Sequence, residues 1–116
     1  MSILSNTTMI TVFVNNQNVF LTFKSFDELL SYEHYDYITL IKCSNNNLTS
    51  LPNLPSSLIK LNCSYNKLTS LPILPSTLKY LDCSNNNITS LPHLRLINEL
   101  NCSYNNLTNL DCYEEG

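Results

Sequence analysis

Glycine is almost missing from this chain: of its 116 residues only Gly116 is one, and tryptophan is absent. Without glycine the usual source of positive-φ turns is gone, and those turns fall to asparagine, the next most tolerant residue. A glycine-rich phosphate loop is excluded for the same reason. Cationic residues are scarce too, six Lys plus Arg against nine Asp plus Glu for a net charge of −3. That balance leaves no electrostatic footprint for a phosphate backbone, so nucleic acid and anionic membrane surfaces are poor partners. No apolar run approaches the length of a membrane span. The start, Met1-Ser-Ile-Leu-Ser-Asn-Thr-Thr-Met-Ile10, has neither the basic segment nor the apolar core of a secretory signal. The expected compartment is the cell interior, the cytoplasm, where the Asn-x-Ser/Thr triplets at Asn47, Asn62, Asn87, Asn101 and Asn106 are by-products of a repeat and not glycan acceptors. A length of 116 residues fits one small domain with no room for a separate catalytic unit.

What the chain has instead is repetition. Cys43-Ser-Asn-Asn-Asn-Leu-Thr-Ser-Leu-Pro52 returns as Cys63-Ser-Tyr-Asn-Lys-Leu-Thr-Ser-Leu-Pro72 and Cys83-Ser-Asn-Asn-Asn-Ile-Thr-Ser-Leu-Pro92, then fades as Cys102-Ser-Tyr-Asn-Asn-Leu-Thr-Asn-Leu110. A period of about twenty residues signals one small unit stacked on itself, because a single unit cannot bury its own apolar side. The repeats run 38–57, 58–77, 78–96 and 97–110, with 111–116 as a tail. Ile38, Leu58, Leu78 and Ile97 open them, and Ile41, Leu61, Leu81 and Leu100 stand fourth. The cysteines stand sixth, with Lys42, Asn62, Asp82 and Asn101 between. This alternation predicts strands with one buried face, paired in parallel because each recurs a full repeat later. Asn46, Asn66, Asn86 and Asn105 follow, where the chain leaves the sheet; an amide there can satisfy loose backbone groups and stack into a ladder. All five prolines, Pro52, Pro55, Pro72, Pro75 and Pro92, lie in the return segments, which should be extended or 3₁₀-like without α-helix. Arg95 replaces the second proline in a repeat one residue short, so irregularity is expected there.

Residues 1–37 lack the repeat. Ile10, Val12 and Val14, then Val19, Leu21 and Phe23, alternate around Asn15-Asn-Gln-Asn18 and predict a β-hairpin. Ser25 and Glu28 have capping-box spacing, predicting a short helix over 26–33. Together they are expected to cap the first coil, with Phe20, Phe23, Phe26 and Leu29 supplying apolar surface.

The repeated phrase Leu-x-x-Leu-x-Cys-Ser-x-Asn-x-Leu-Thr-Ser-Leu-Pro-x-Leu-Pro resembles the leucine-rich repeat, closely its short proline-containing class. That class includes repeats of bacterial type III secreted effectors, and the Cys-Ser-Asn-rich wording is similar to repeat proteins of giant viruses of amoebae. The resemblance implies a mostly-β solenoid of the α/β class, a short right-handed curved parallel sheet of about four coils whose concave face binds other proteins. For a viral or effector protein it implies the cytoplasm of a host cell. Some effector relatives carry a further C-terminal ubiquitin-ligase domain with a catalytic cysteine. With the chain stopping at Gly116 that activity is not carried over, and the hairpin with its helix differs from the helical cap of those effectors.

Candidate chemistry is sparse. The cysteines could pair, hold metal or fill the core. Neighbours in a column of parallel strands are about 4.8 Å apart, beyond disulfide Cβ spacing, and zinc prefers convergent local pairs. A compact apolar role follows, with no metal and no cofactor expected. Cys112 lies outside the column as an odd thiol, and His34 and His93 have no nucleophile placed beside them by spacing. No enzymatic activity is expected. The candidate site is the concave face, where Lys42, Lys60, Asn62, Tyr80, Asp82, Glu99 and Asn101 point outward with Tyr65 and Tyr104 at the edge. Tyrosines on a rigid polar sheet are the anchors that carry protein interfaces. The expected role is therefore a non-catalytic protein-binding module. The alternative is a structural or self-associating fragment that forms a homo-oligomer through an open C-terminal edge strand.

Overall fold

The computed structural model describes residues 8–94 and 96–108. The expectations for Arg95, for Cys112 and for the tail lie outside them. The chain forms β1 (Ile10–Val14), β2 (Val19–Phe23), α1 (Phe26–Leu30), a 3₁₀ turn (Tyr35–Tyr37), and then β3 (Ile38–Lys42), β4 (Lys60–Asn62), β5 (Tyr80–Asp82) and β6 (Glu99–Asn101). One six-stranded sheet results, in the order β2-β1-β3-β4-β5-β6. From β3 onward the strands are parallel, Leu40 beside Lys60, Lys60 beside Tyr80 and Tyr80 beside Glu99.

The hairpin is joined to the repeats edge to edge. β1 runs antiparallel to both β2 and β3, with Val12 opposite Ile41 and Phe13 opposite Leu40. Its alternation sends Ile10, Val12 and Val14 into the same core as the repeat residues, all fully buried. Leu29 joins them, while Phe23 and Phe26 pack partly buried against that core. Phe20 departs from the expectation: it is 62% exposed, on the opposite face of the sheet. The reason is register, since Phe20 pairs with Phe13, whose side chain points away from the face that Val12 and Val14 bury.

Helix α1 is shorter than the spacing predicts, ending at Leu30. Ser25 caps its start by accepting from the Glu28 N–H, and the Glu28 side chain reaches back to the Lys24 N–H. At the far end the Ser31 hydroxyl donates to the Glu28 carbonyl, and the Tyr32 and Tyr35 amides turn back on the residues three before them. Such local bonds tighten the chain out of α-helix after one turn.

Every coil buries its cysteine, and the first three also bury the apolar residue two places before it: Ile41, Leu61 and Leu81 with Cys43, Cys63, Cys83 and Cys102 form an internal file. Cys43, Cys63 and Cys83 are free thiols. Burial pushes the thiols of Cys43 and Cys83 up to about 12, Asp82 adding to the effect at Cys83, and raises Cys63 in the same direction. The described return segments contain turns and extended chain with no helix of either kind.

The asparagines bind coil to coil. Asn66 Nδ2 donates to the carbonyls of Cys43, Cys63 and Ser64, while its Oδ1 accepts from the amides of Asn46 and Leu48. Asn86 repeats this on Cys63, Cys83 and Ser84, accepting from Leu68, and Asn105 on Cys83, Cys102 and Ser103, accepting from Ile88. Asn46 has no preceding coil and instead exchanges two bonds with the main chain of Met9, at the start of the hairpin. A second, lateral ladder is made of hydroxyls: Ser57 donates to the Ile38 carbonyl and Thr77 to that of Leu58.

The residue before each ladder asparagine is left-handed, at φ 58° for Asn45, 55° for Tyr65, 57° for Asn85 and 58° for Tyr104. The glycine-poor composition predicts asparagine in that role, and two tyrosines hold it instead. A β-carbon is disfavoured there by roughly 1–2 kcal/mol. The bonds of the following asparagine hold the turn and make the conformation tolerable.

Candidate functional site

The face of the sheet opposite the core is assembled from two rows of side chains read across the strands. One row is Phe20, Phe13, Leu40, Lys60, Tyr80 and Glu99; the other is Thr22, Thr11, Lys42, Asn62, Asp82 and Asn101. Strand pleating makes this necessary: the residues flanking Ile41, Leu61, Leu81 and Leu100 must face the other way. All of them but Thr11 and Thr22 line an open groove of about 1190 Å³.

Within the groove the Lys60 ammonium sits 4.8 Å from the centre of the Tyr80 ring, a cation–π contact. Glu99 stands opposite Tyr80 on the next strand. Asn62, Asp82 and Asn101 are less free than their outward orientation suggests. Each uses Oδ1 to accept from the amide and hydroxyl of the serine two residues on: Ser64, Ser84 and Ser103. Ser64 and Ser84 are buried in consequence, where alternation alone would have placed them outward. The cause is that the strands end at Asn62 and Asp82, and an Asx-type turn begins.

The structure thus gathers Lys42, Lys60, Asn62, Tyr80, Asp82, Glu99 and Asn101 along one groove. Tyr65 and Tyr104 do not line it; they lie past the strand ends, 57% and 79% exposed. It also adds Phe13 and Phe20, which sequence reading places in the cap. Their rings meet edge to face at 4.8 Å. The signal that could have found them is the alternation of β1, once β1 is known to pair with β3.

Elsewhere His34 accompanies Tyr32 and Tyr37 in an edge-to-face ring cluster and meets Asn16 at 3.2 Å. The Tyr35 hydroxyl donates to the Asn53 carbonyl, and burial, with Asp36 adding, pushes it up to about 12.

A parallel ladder with an internal file of leucine and cysteine, an asparagine on every turn and a helix-free return defines the coil. The family model for leucine-rich repeats matches in two copies over residues 56–96. The coils have the leucine-rich-repeat fold. Among solved structures, a Shigella effector LRR domain is similar at 34% identity and a TM-score of 0.50, over 64% of this chain and 43% of that one. This chain therefore spans less than half the length of that domain's chain. No curated protein matches it. Repeats of this family are generally protein-interaction modules.

Proposed function

We propose that the protein is a non-catalytic binding module that holds a partner protein against the groove face of its sheet. The observation that carries this reading is the grouping of Lys60, Tyr80, Asp82 and Glu99 in one groove, on strands tied down by two hydrogen-bonded ladders. A pre-organised surface loses little freedom on binding, and a tyrosine between opposite charges offers an anchor with directional neighbours. The likeness to a bacterial effector domain is in keeping with a partner from a host cell. Affinity capture with the wild type and with a Tyr80→Ala, Lys60→Glu double variant tests it. Lys60 is preferred to Asp82 for charge reversal because Asp82 also ties its own turn. Partners held by the wild type and lost by a variant with an unchanged circular dichroism spectrum locate the site; identical catches from both retire it.

A second reading, self-association through β6, draws on packing. Ile97, Leu100 and Leu107 are only partly buried, whereas Leu58, Leu61 and Leu68 at the same positions are buried. Such an edge can take up another strand. Under this reading the charge reversal is harmless and sedimentation shows mass rising with concentration; a strict monomer at high concentration removes it.

A further inference from the structure

We propose that the hairpin completes the groove with an apolar subsite, and that groove and subsite together receive one face of an amphipathic α-helix of the partner, laid across the strands. This rests on the groove being the binding face. The order along it is fixed: an apolar side chain of the helix over Phe13 and Phe20, a carboxylate over Lys60 and Lys42, and a cation over Asp82 and Glu99.

Phe20 is the reason to look there. It is 62% exposed although the core side of the hairpin is fully served by Ile10, Val12 and Val14. Its ring rests on Phe13, and Phe13 stands opposite Leu40, so three apolar side chains lie side by side at one end of the groove. Lys42, beside Leu40 on β3, and Lys60 on β4 follow, and then the carboxylates Asp82 on β5 and Glu99 on β6. Apolar, basic and acidic zones in that sequence give the groove a direction, and a partner complementary to it must carry apolar, acidic and basic groups in the same order.

The geometry favours a helix over an extended segment. Backbone groups of β1 and β3–β5 are engaged in ladders on both sides, so this face offers side chains only. An extended peptide laid on it would leave its own backbone groups without partners, whereas a helix brings its backbone already bonded. Strands β4, β5 and β6 are three residues long, about 10 Å, against a helix diameter of about 10–12 Å. Strands lie about 4.8 Å apart, so Lys60 is about 10 Å and Glu99 about 19 Å from Phe13. At about 1.5 Å per residue these become about 7 and 13 residues, close to i, i+7 and i+14, which share one helical face.

The test is selection from a displayed helical-peptide library randomised at i, i+7 and i+14, run against the wild-type chain, Phe20→Ser and Lys60→Glu. Expected from the wild type is enrichment of aromatic or aliphatic residues at i, Asp or Glu at i+7 and Lys or Arg at i+14. Synthesised winners should bind Phe20→Ser at least about tenfold more weakly, and a peptide with the three residues in reverse order should bind as weakly. Winners that need Lys60 but bind Phe20→Ser unchanged overturn the subsite and leave the groove standing. Winners indifferent to both substitutions, or no ordered enrichment at all, overturn both. Phe20 is exposed, so its replacement by serine leaves the fold intact, which circular dichroism checks.

Discussion

The two flanks of the repeat stack are finished in different ways. Beside β3, an antiparallel strand brings three fully buried side chains, Ile10, Val12 and Val14, and Asn46 exchanges two hydrogen bonds with Met9 in place of a missing coil. At β6 the repeat sequence simply runs on with weaker cover. Ile97, Leu100 and Leu107 are half-buried, Asn105 is less enclosed than Asn66 or Asn86, and the hydroxyl ladder stops where Leu96 stands in the place of Ser57 and Thr77. Identical repeat chemistry therefore has different value depending on its neighbour, as expected where stability is a sum of units and nearest-neighbour interfaces.

The largest effect should come from base, and it tests whether the two flanks share one dry core despite unequal cover. Thiolates form at the ordinary value of 9.0 in the unfolded chain but are resisted by burial in the folded one, up to about 12 for Cys43 and Cys83. The stability involved is fully present below about pH 9 and is lost as pH rises toward 12, by about 1.4 kcal/mol per pH unit for each thiol. A circular dichroism titration should show cooperative unfolding inside that window. Cys43→Val and Cys83→Val should each flatten the slope by the same amount. Flattening by one and not the other would mean that water reaches the column at one flank.

Next in size is the asparagine ladder. Asn66→Ala strands the amides of Asn46 and Leu48 and takes one of two donors from each of the Cys43, Cys63 and Ser64 carbonyls, and should cost about 3–4 kcal/mol in urea unfolding, given roughly 1–3 kcal/mol for each unsatisfied buried group. Asn105→Ala leaves groups that water can reach and should cost about 1–2 kcal/mol. Equal costs would erase the distinction between enclosed and open coils.

How far this contrast could be read in advance depended on the range of the interactions. Coil, parallel register and internal cysteine file are set by a pattern repeated within twenty residues, and the residues flanking Leu61 and Leu81 had to share a face. The groove lining from the repeats was legible for that reason. The pairing of β1 with β3 joins residues about thirty apart and has no local signature, so Phe13 and Phe20 were hidden. Tyr65 and Tyr104 in left-handed turns were also illegible, because propensity assigns those places to asparagine and only the following ladder bonds overrule it. Ser31, which stops α1 after one turn, competes for a carbonyl in a way that helical periodicity does not register.

Substituting the same residue type on each flank compares cover directly. Ile10→Ala opens a cavity in a fully buried place and should cost about 3 kcal/mol, against about 1–2 kcal/mol for Ile97→Ala, where part of the side chain already meets water. Urea midpoints measure both, and a larger loss at Ile97 would reverse the ranking of the two flanks.

The smallest effect is a gain, and it would narrow the difference by repair. In the first two repeats a hydroxyl ahead of the strand donates to the carbonyl of the preceding coil, Ser57 to Ile38 and Thr77 to Leu58. Leu96 occupies the next such place, 54% exposed and without a group to donate. Leu96→Thr would let the ladder continue to the Leu78 carbonyl and remove an exposed apolar side chain, a stabilisation of about 0.5–1 kcal/mol. Amide exchange in β6 should slow in step with the global gain. If Thr77→Ala costs its expected share of about 1 kcal/mol while Leu96→Thr returns nothing, the weakness of the last coil lies in its apolar cover and not in its hydrogen bonds.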